Sequence, residues 1–192
     1  MGILRKLSLW LYSISTGWVA LAGLIIFLLF TGLVLPAQST GSGEISGEAG
    51  SPDMSFFYSS QELYEMAEAY GEQGRSAYIR VRFTFDLIWP LVYTLFLCTA
   101  ISWIFARAFS PESGWRWVNL APILGMVLDY AENISTSLVM YRYPILTNLV
   151  ATLAPLFTAV KWIFVGGSFI LLLIGIFVLM WHAIRKRLVK AG

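Results

Sequence analysis

Long apolar runs alternate with short polar joints along this chain. Four of them, about 10–35, 84–106, 118–140 and 156–183, reach the roughly 20 residues that a membrane-spanning helix needs. None alternates strictly between apolar and polar positions, and a bilayer leaves the backbone only helices or a closed barrel, so the runs predict helices. The expected fold class is all-α: a polytopic transmembrane four-helix bundle forming a single membrane domain over residues 1–192. The first run exceeds the roughly 7 to 15 apolar residues of a signal-peptide core, and no small-residue cleavage motif follows it, so it is expected to stay in the protein. Its Gly17, Ala20 and Gly23 recur at helical spacing and would let another helix come close.

The joint after the first run, residues 36–80, is long. From Gln38 to Pro52 it reads QSTGSGEISGEAGSP, a composition that predicts a flexible tether. Ser59-Ser60-Gln61-Glu62 then matches a capping box, and Leu63, Met66, Ala67 and Tyr70 recur on one face until Gly71. This predicts a short amphipathic helix from Ser60 to Tyr70, which Phe56, Phe57 and Tyr58 would seat in the headgroup region or over the mouth of the bundle.

From Arg75 the pattern is helical again and predicts a helix running into the second span. One stripe of it carries Arg75, Tyr78, Arg82, Asp86, Trp89 and Tyr93. Pro90 removes the donor to the carbonyl of Asp86, which predicts a local kink. The third run holds the least expected residues: Asp129, Glu132 and Asn133 stand at i, i+3 and i+4, with Thr136 a turn further, so all project from one face. Ionisable groups at such depth cost several kcal/mol facing lipid and therefore face a bundle interior or a wet cavity. The fourth run places Lys161 on a face with Ala154, Thr158, Val165 and Ser168. A lysine near a span end can snorkel outward. Counting about 1.5 Å per residue, however, Asp86, Glu132, Asn133 and Lys161 share the outer half of the bilayer, with Asp129 nearer its centre, which favours Lys161 as the counter-charge.

Composition sharpens this picture. The chain is 58% hydrophobic and 12% charged, against about 25% charged in ordinary soluble domains. Its basic residues gather at span ends: Arg5 and Lys6, Arg107 and Arg116, then Arg185, Lys186, Arg187 and Lys190. All would share one side, which the positive-inside rule makes the cytoplasm, with both termini inside and 36–80 forming an extracytoplasmic loop of the cell (inner) membrane. Acidic residues outnumber basic ones in that loop. Cys98 and His182 are single, so neither a disulfide nor a Cys- or His-based metal site is expected within one chain, and no cofactor is implied. Nothing points to nucleic acid.

The segments FFYSSQELYEMAEAYGEQGRSAY, FTFDLIWPLVY, LDYAEN and LFTAVKWIFVGGS resemble an uncharacterised bacterial family of small four-span integral membrane proteins. That resemblance implies the same helical bundle and marks Tyr70, Gly71, Gly74, Arg75, Tyr78, Asp86, Pro90, Tyr93, Asp129, Glu132, Asn133 and Lys161. It implies no activity.

The candidate ligand-binding residues are thus Arg75, Tyr78, Arg82, Asp86, Tyr93, Asp129, Glu132, Asn133 and Lys161. The leading expectation is a binding or accessory protein whose polar cluster staples the bundle and holds a lipid or lipophilic ligand, with membrane lipids, a second copy or a larger membrane complex as partners. A second is an enzyme using Asp86, Asp129 or Glu132 as acid and base on a lipophilic substrate; no nucleophile motif, metal motif or phosphate loop accompanies them. A third is a proton-linked transporter, which with four spans per chain would need an oligomer to enclose a path.

Overall fold

The computed structural model describes residues 2–36, 50–52 and 55–191, and the regular structure among them is entirely helical. In chain order it comprises α1 (Ile3–Ile14), α2 (Gly17–Leu29) continued by a π turn (Phe30–Val34), α3 (Ser60–Ala69), α4 (Gly71–Arg82), α5 (Phe85–Ala108), a 3-10 turn (Gly114–Leu120), α6 (Ala121–Arg142) and α7 (Asn148–Ala191). Most of the Gln38–Pro52 tether lies outside the described residues. Three stretches are long and apolar enough to cross a membrane: Gly17–Val34, Gly71–Ala108 and Asn148–Val189.

Helix α6, with 22 residues, would extend about 33 Å, but Asp129 and Glu132 dilute its apolar character. The contacts fix how α2, α5, α6 and α7 run. Gly17 meets Trp103 while Phe30 stacks on Phe85, so α2 and α5 are antiparallel. Gly125 meets Val165, whereas Val139 and Met140 share a buried cluster with Ala151 and Ala154, so α6 and α7 are antiparallel too. Tyr93 reaches Asp129, and Gly175 packs on Phe105, completing an up-down-up-down arrangement. Close approach depends on missing side chains. A Cβ on Gly23 would lie 3.2 Å from the Phe96 backbone, and one on Gly175 would lie 2.5 Å from the Phe105 ring. An aromatic ladder, Phe30–Trp89–Phe27–Phe96–Phe169, fills the seam between α2, α5 and α7 with ring centroids 4.9–6.4 Å apart.

Three boundaries differ from those expected. The run 10–35 is two helices, because Thr16 caps α2 by accepting from the Val19 amide at 3.3 Å and Ser15 turns its hydroxyl back onto the Leu11 carbonyl. The helix from Arg75 does not run unbroken into the second span. Phe83 ends α4, and Thr84 leaves helical geometry with its hydroxyl donating to the Arg80 carbonyl at 2.7 Å. Pro90 then sits inside one continuous α5. The last helix begins at Asn148 rather than after Pro155, which it carries internally, since the fully buried Ala151 and Ala154 pack where only a helix would present both.

At the mouth of the bundle, α3 has the full capping box. The Ser59 hydroxyl accepts from the Glu62 amide at 3.2 Å, and the Ser59 amide donates to the Glu62 carboxylate at 2.6 Å. That backbone donor, followed by the Ser59 hydroxyl, holds the exposed Glu62 carboxyl below its usual range. Leu63, Ala67 and Tyr70 are buried with Tyr58. Gly71 adopts φ +61, a left-handed conformation that costs glycine little, and this turns α3 into α4.

Candidate functional site

The polar face of α6 points into the bundle. Glu132 is 1% exposed and Asp129 8%, and Lys161, on the facing side of α7, is 5% exposed. The Lys161 ammonium lies 2.5 Å from one Glu132 carboxylate oxygen and 3.8 Å from Oδ1 of Asp129. Asp129 Oδ2 accepts from the Tyr93 hydroxyl of α5 at 2.9 Å, and the Asn133 amide approaches Oδ1 at 3.4 Å. One carboxylate therefore binds groups from two neighbouring helices.

A second pair lies at the α4–α5 junction, where Arg82 and Asp86 meet at 2.8 Å, both buried. The Arg82 guanidinium also sits 4.6 Å over the ring of the buried Tyr78. Arg75 stands apart from these residues. It donates to the Ala67 carbonyl at 2.9 Å and lies 5.0 Å over the Tyr143 ring, so it ties α3 and α4 to the end of α6. Trp89, on the same stripe, turns its ring toward Phe27, Phe30 and Tyr93.

Two participants, Tyr58 and Tyr130, were missed in the sequence. Tyr58 is 2% exposed and its hydroxyl lies 3.1 Å from that of Thr158, one turn before Lys161, so the segment before α3 reaches the charged level of α7. A signal for it exists: Tyr58 precedes the Ser59 cap, and Leu63 is the fourth helical residue, the two positions that a hydrophobic staple brings together. Tyr130 donates to the Leu87 carbonyl at 2.8 Å, fastening α6 to α5 beside the cluster. Thr136, which the spacing had placed on the acidic face, is buried there and returns its hydroxyl to the Glu132 carbonyl at 2.9 Å.

The arrangement can hold opposite charges facing one another between α6 and α7, steadied by a hydroxyl from α5, and it can share a proton among Asp129, Glu132 and Lys161. Among the described residues no three acidic, histidine or cysteine side chains gather as a bound metal ion would require. Compared with known protein families, curated proteins and solved structures, the chain matches none. The roles of these residues therefore rest on their own geometry.

Proposed function

We propose that this chain is a four-span integral membrane protein of the binding or accessory kind. In this reading α2, α5, α6 and α7 cross the inner membrane, both termini are cytoplasmic, and α3 and α4 cover the outer mouth. The buried cluster staples the helices to one another and makes that mouth a defined surface for a lipid or a larger membrane complex. The observation that carries the reading is Lys161, which is buried between Glu132 and Asp129 while Asp129 takes the Tyr93 hydroxyl. Charges already engaged with protein partners fix which helix faces which, and they offer little free capacity for a substrate. The mouth itself supports a role in contact. An open cleft of about 460 Å³ lies between α3 and residues 143–146, lined by Tyr64, Glu65, Glu68 and Tyr143 among others. Exposed Phe56 and Phe57 flank α3.

The test is a double-mutant cycle on the detergent-solubilised protein. Removing one partner of a buried pair costs about 3 to 5 kcal/mol, because the survivor is uncompensated, whereas removing both can be nearly neutral. Lys161→Met and Glu132→Gln are each expected to lower thermal stability, and the double variant to regain much of the loss. Strict additivity would show that the pair does not staple. Topology is checked separately, with Cys98 replaced by alanine and single cysteines at Glu68 or Glu112. An impermeant thiol reagent added to intact cells should label the first and spare the second; equal labelling would sink the orientation.

A further inference from the structure

At the opposite end of the bundle from α3, the 3-10 turn and α1 enclose a cleft of about 330 Å³ that the stapling cluster does not explain. Its floor is built rather than incidental. The Arg116 guanidinium lies 4.0 Å over the Tyr12 ring, and the Tyr12 hydroxyl donates to the Arg116 carbonyl at 2.8 Å. Burial raises the Tyr12 phenol above its ordinary range, with Arg116 opposing, so the hydroxyl stays a donor. Among the described residues Arg116 Nε is buried without a hydrogen-bond partner, and neither Arg116 nor Arg5, also on the cleft wall, is in an ion pair. Ser113 adds a hydroxyl, and Glu112 stands on the exposed rim.

The residues around this cleft suit a membrane surface. Trp10, Trp115 and Trp117, of the type that settles at headgroup level, are exposed on α1 and the 3-10 turn that form it, together with the apolar Leu9. Two arginines without an ion pair beside a hydroxyl, opening among exposed indoles, suit the phosphodiester of a lipid headgroup. We propose that this cleft binds one anionic phospholipid of the inner leaflet through Arg116 and Arg5. The bound phosphate would satisfy the planar guanidinium that Tyr12 holds in place, and the lipid's tails would lie along the exposed apolar side of α1. Arg116 is the recognition residue, because its stack on Tyr12 fixes the direction of its donors. Arg5 supplies charge, and Glu112 opposes binding.

Native mass spectrometry of the full chain in mild detergent, loaded with equal phosphatidylglycerol and phosphatidylcholine, tests this. The wild type should retain phosphatidylglycerol in preference. Arg5→Gln and Arg116→Gln should each reduce that retention about fivefold, and Glu112→Gln should raise it. Arg116→Lys keeps the charge but loses the planar fork, so it should fall nearly as far as Arg116→Gln. Arg107→Gln, whose arginine is occupied with the Trp103 carbonyl and ring outside the cleft, should leave retention unchanged. Equal retention of both lipids, or a Lys variant indistinguishable from wild type, would reduce the site to diffuse attraction and overturn the proposal. Displacement of the lipid by excess inorganic phosphate would show a free-phosphate site and overturn the lipid assignment. Because Arg5 is exposed, a folding failure of the Arg116 variants still leaves the Arg5 and Glu112 results to decide.

Discussion

Besides the Arg82–Asp86 pair, two buried polar knots stand out among the described residues, and they are built from different chemistry. One is charged: Lys161, Glu132 and Asp129, joined by the Tyr93 hydroxyl, bind α5, α6 and α7. The other is neutral. The wholly buried Asn119 accepts from the Ser8 hydroxyl at 2.9 Å and donates to the Ser8 carbonyl at 3.2 Å and the Ser102 hydroxyl at 3.1 Å, binding α1, the 3-10 turn and α5. An amide satisfied by hydroxyls and a carbonyl carries no Born penalty, so a single small residue can close the neutral knot. Charges must arrive in opposite pairs from different helices, which makes the charged knot the stricter specification of packing.

The largest effects should separate the two. Lys161→Met leaves buried carboxylates without their ammonium and is expected to cost about 3 to 5 kcal/mol. Asn119→Leu leaves neutral hydroxyls and a carbonyl unmatched, a loss of about 1 to 3 kcal/mol. The knots share no residue, so the two changes should add to within about 0.5 kcal/mol in thermal or denaturant unfolding. A large coupling between them would break the picture of two independent fasteners.

Packing comes next, and here glycines divide the helices by how closely they approach. Gly175→Ala must displace the Phe105 and Ile104 side chains, which a Cβ would meet at 2.5 and 2.8 Å, and should cost about 1 to 3 kcal/mol. Gly166→Ala meets nothing within 4 Å and should leave stability equal or slightly raised. Equal losses in both would mean that the α5–α7 seam does not limit stability. Tyr93→Phe is expected to cost about 1.5 to 3 kcal/mol, since it removes a hydroxyl donor to a carboxylate and leaves the ring in place.

Much of the charged knot was legible in the sequence and almost none of the neutral one. Asp129 and Glu132 break an apolar run, and their spacing gives their face, so a counter-charge at the depth of Lys161 could be sought. Ser8 and Asn119 lie 111 residues apart at the margins of their runs, where a serine or an asparagine is unremarkable. Their pairing arises only when α1 folds against the 3-10 turn. Hydropathy also hid the break at Ser15 and Thr16, because two short polar residues scarcely lower the average of a long apolar window. Arg116 was legible as a marker of orientation, whereas its stack on Tyr12 is a tertiary fact. Arg75 failed to join the cluster for a similar reason: the stripe it shares with Asp86 and Tyr93 is interrupted at Thr84, and its guanidinium goes instead to the Ala67 carbonyl and the Tyr143 ring.

The smallest expected effect concerns a carboxylate outside both knots. Glu62 is exposed, and its carboxyl is held low by the Ser59 amide and hydroxyl. Its folded pKa lies below its unfolded one, so its contribution is complete above the ordinary glutamate range and fades as pH falls through the depressed folded value. With solvent all round it, the group should act locally and leave global unfolding almost unmoved. Amide exchange over the first turn of α3 should therefore quicken as pH falls below the ordinary glutamate range, after correction for intrinsic rates, while α6 stays protected. Glutamine also completes a capping box and does not titrate, so Glu62→Gln should keep that turn equally protected across the same pH range. If the acid-induced fraying persists in Glu62→Gln, it originates in other carboxylates, and the mouth of the bundle depends on acids beyond the capping box.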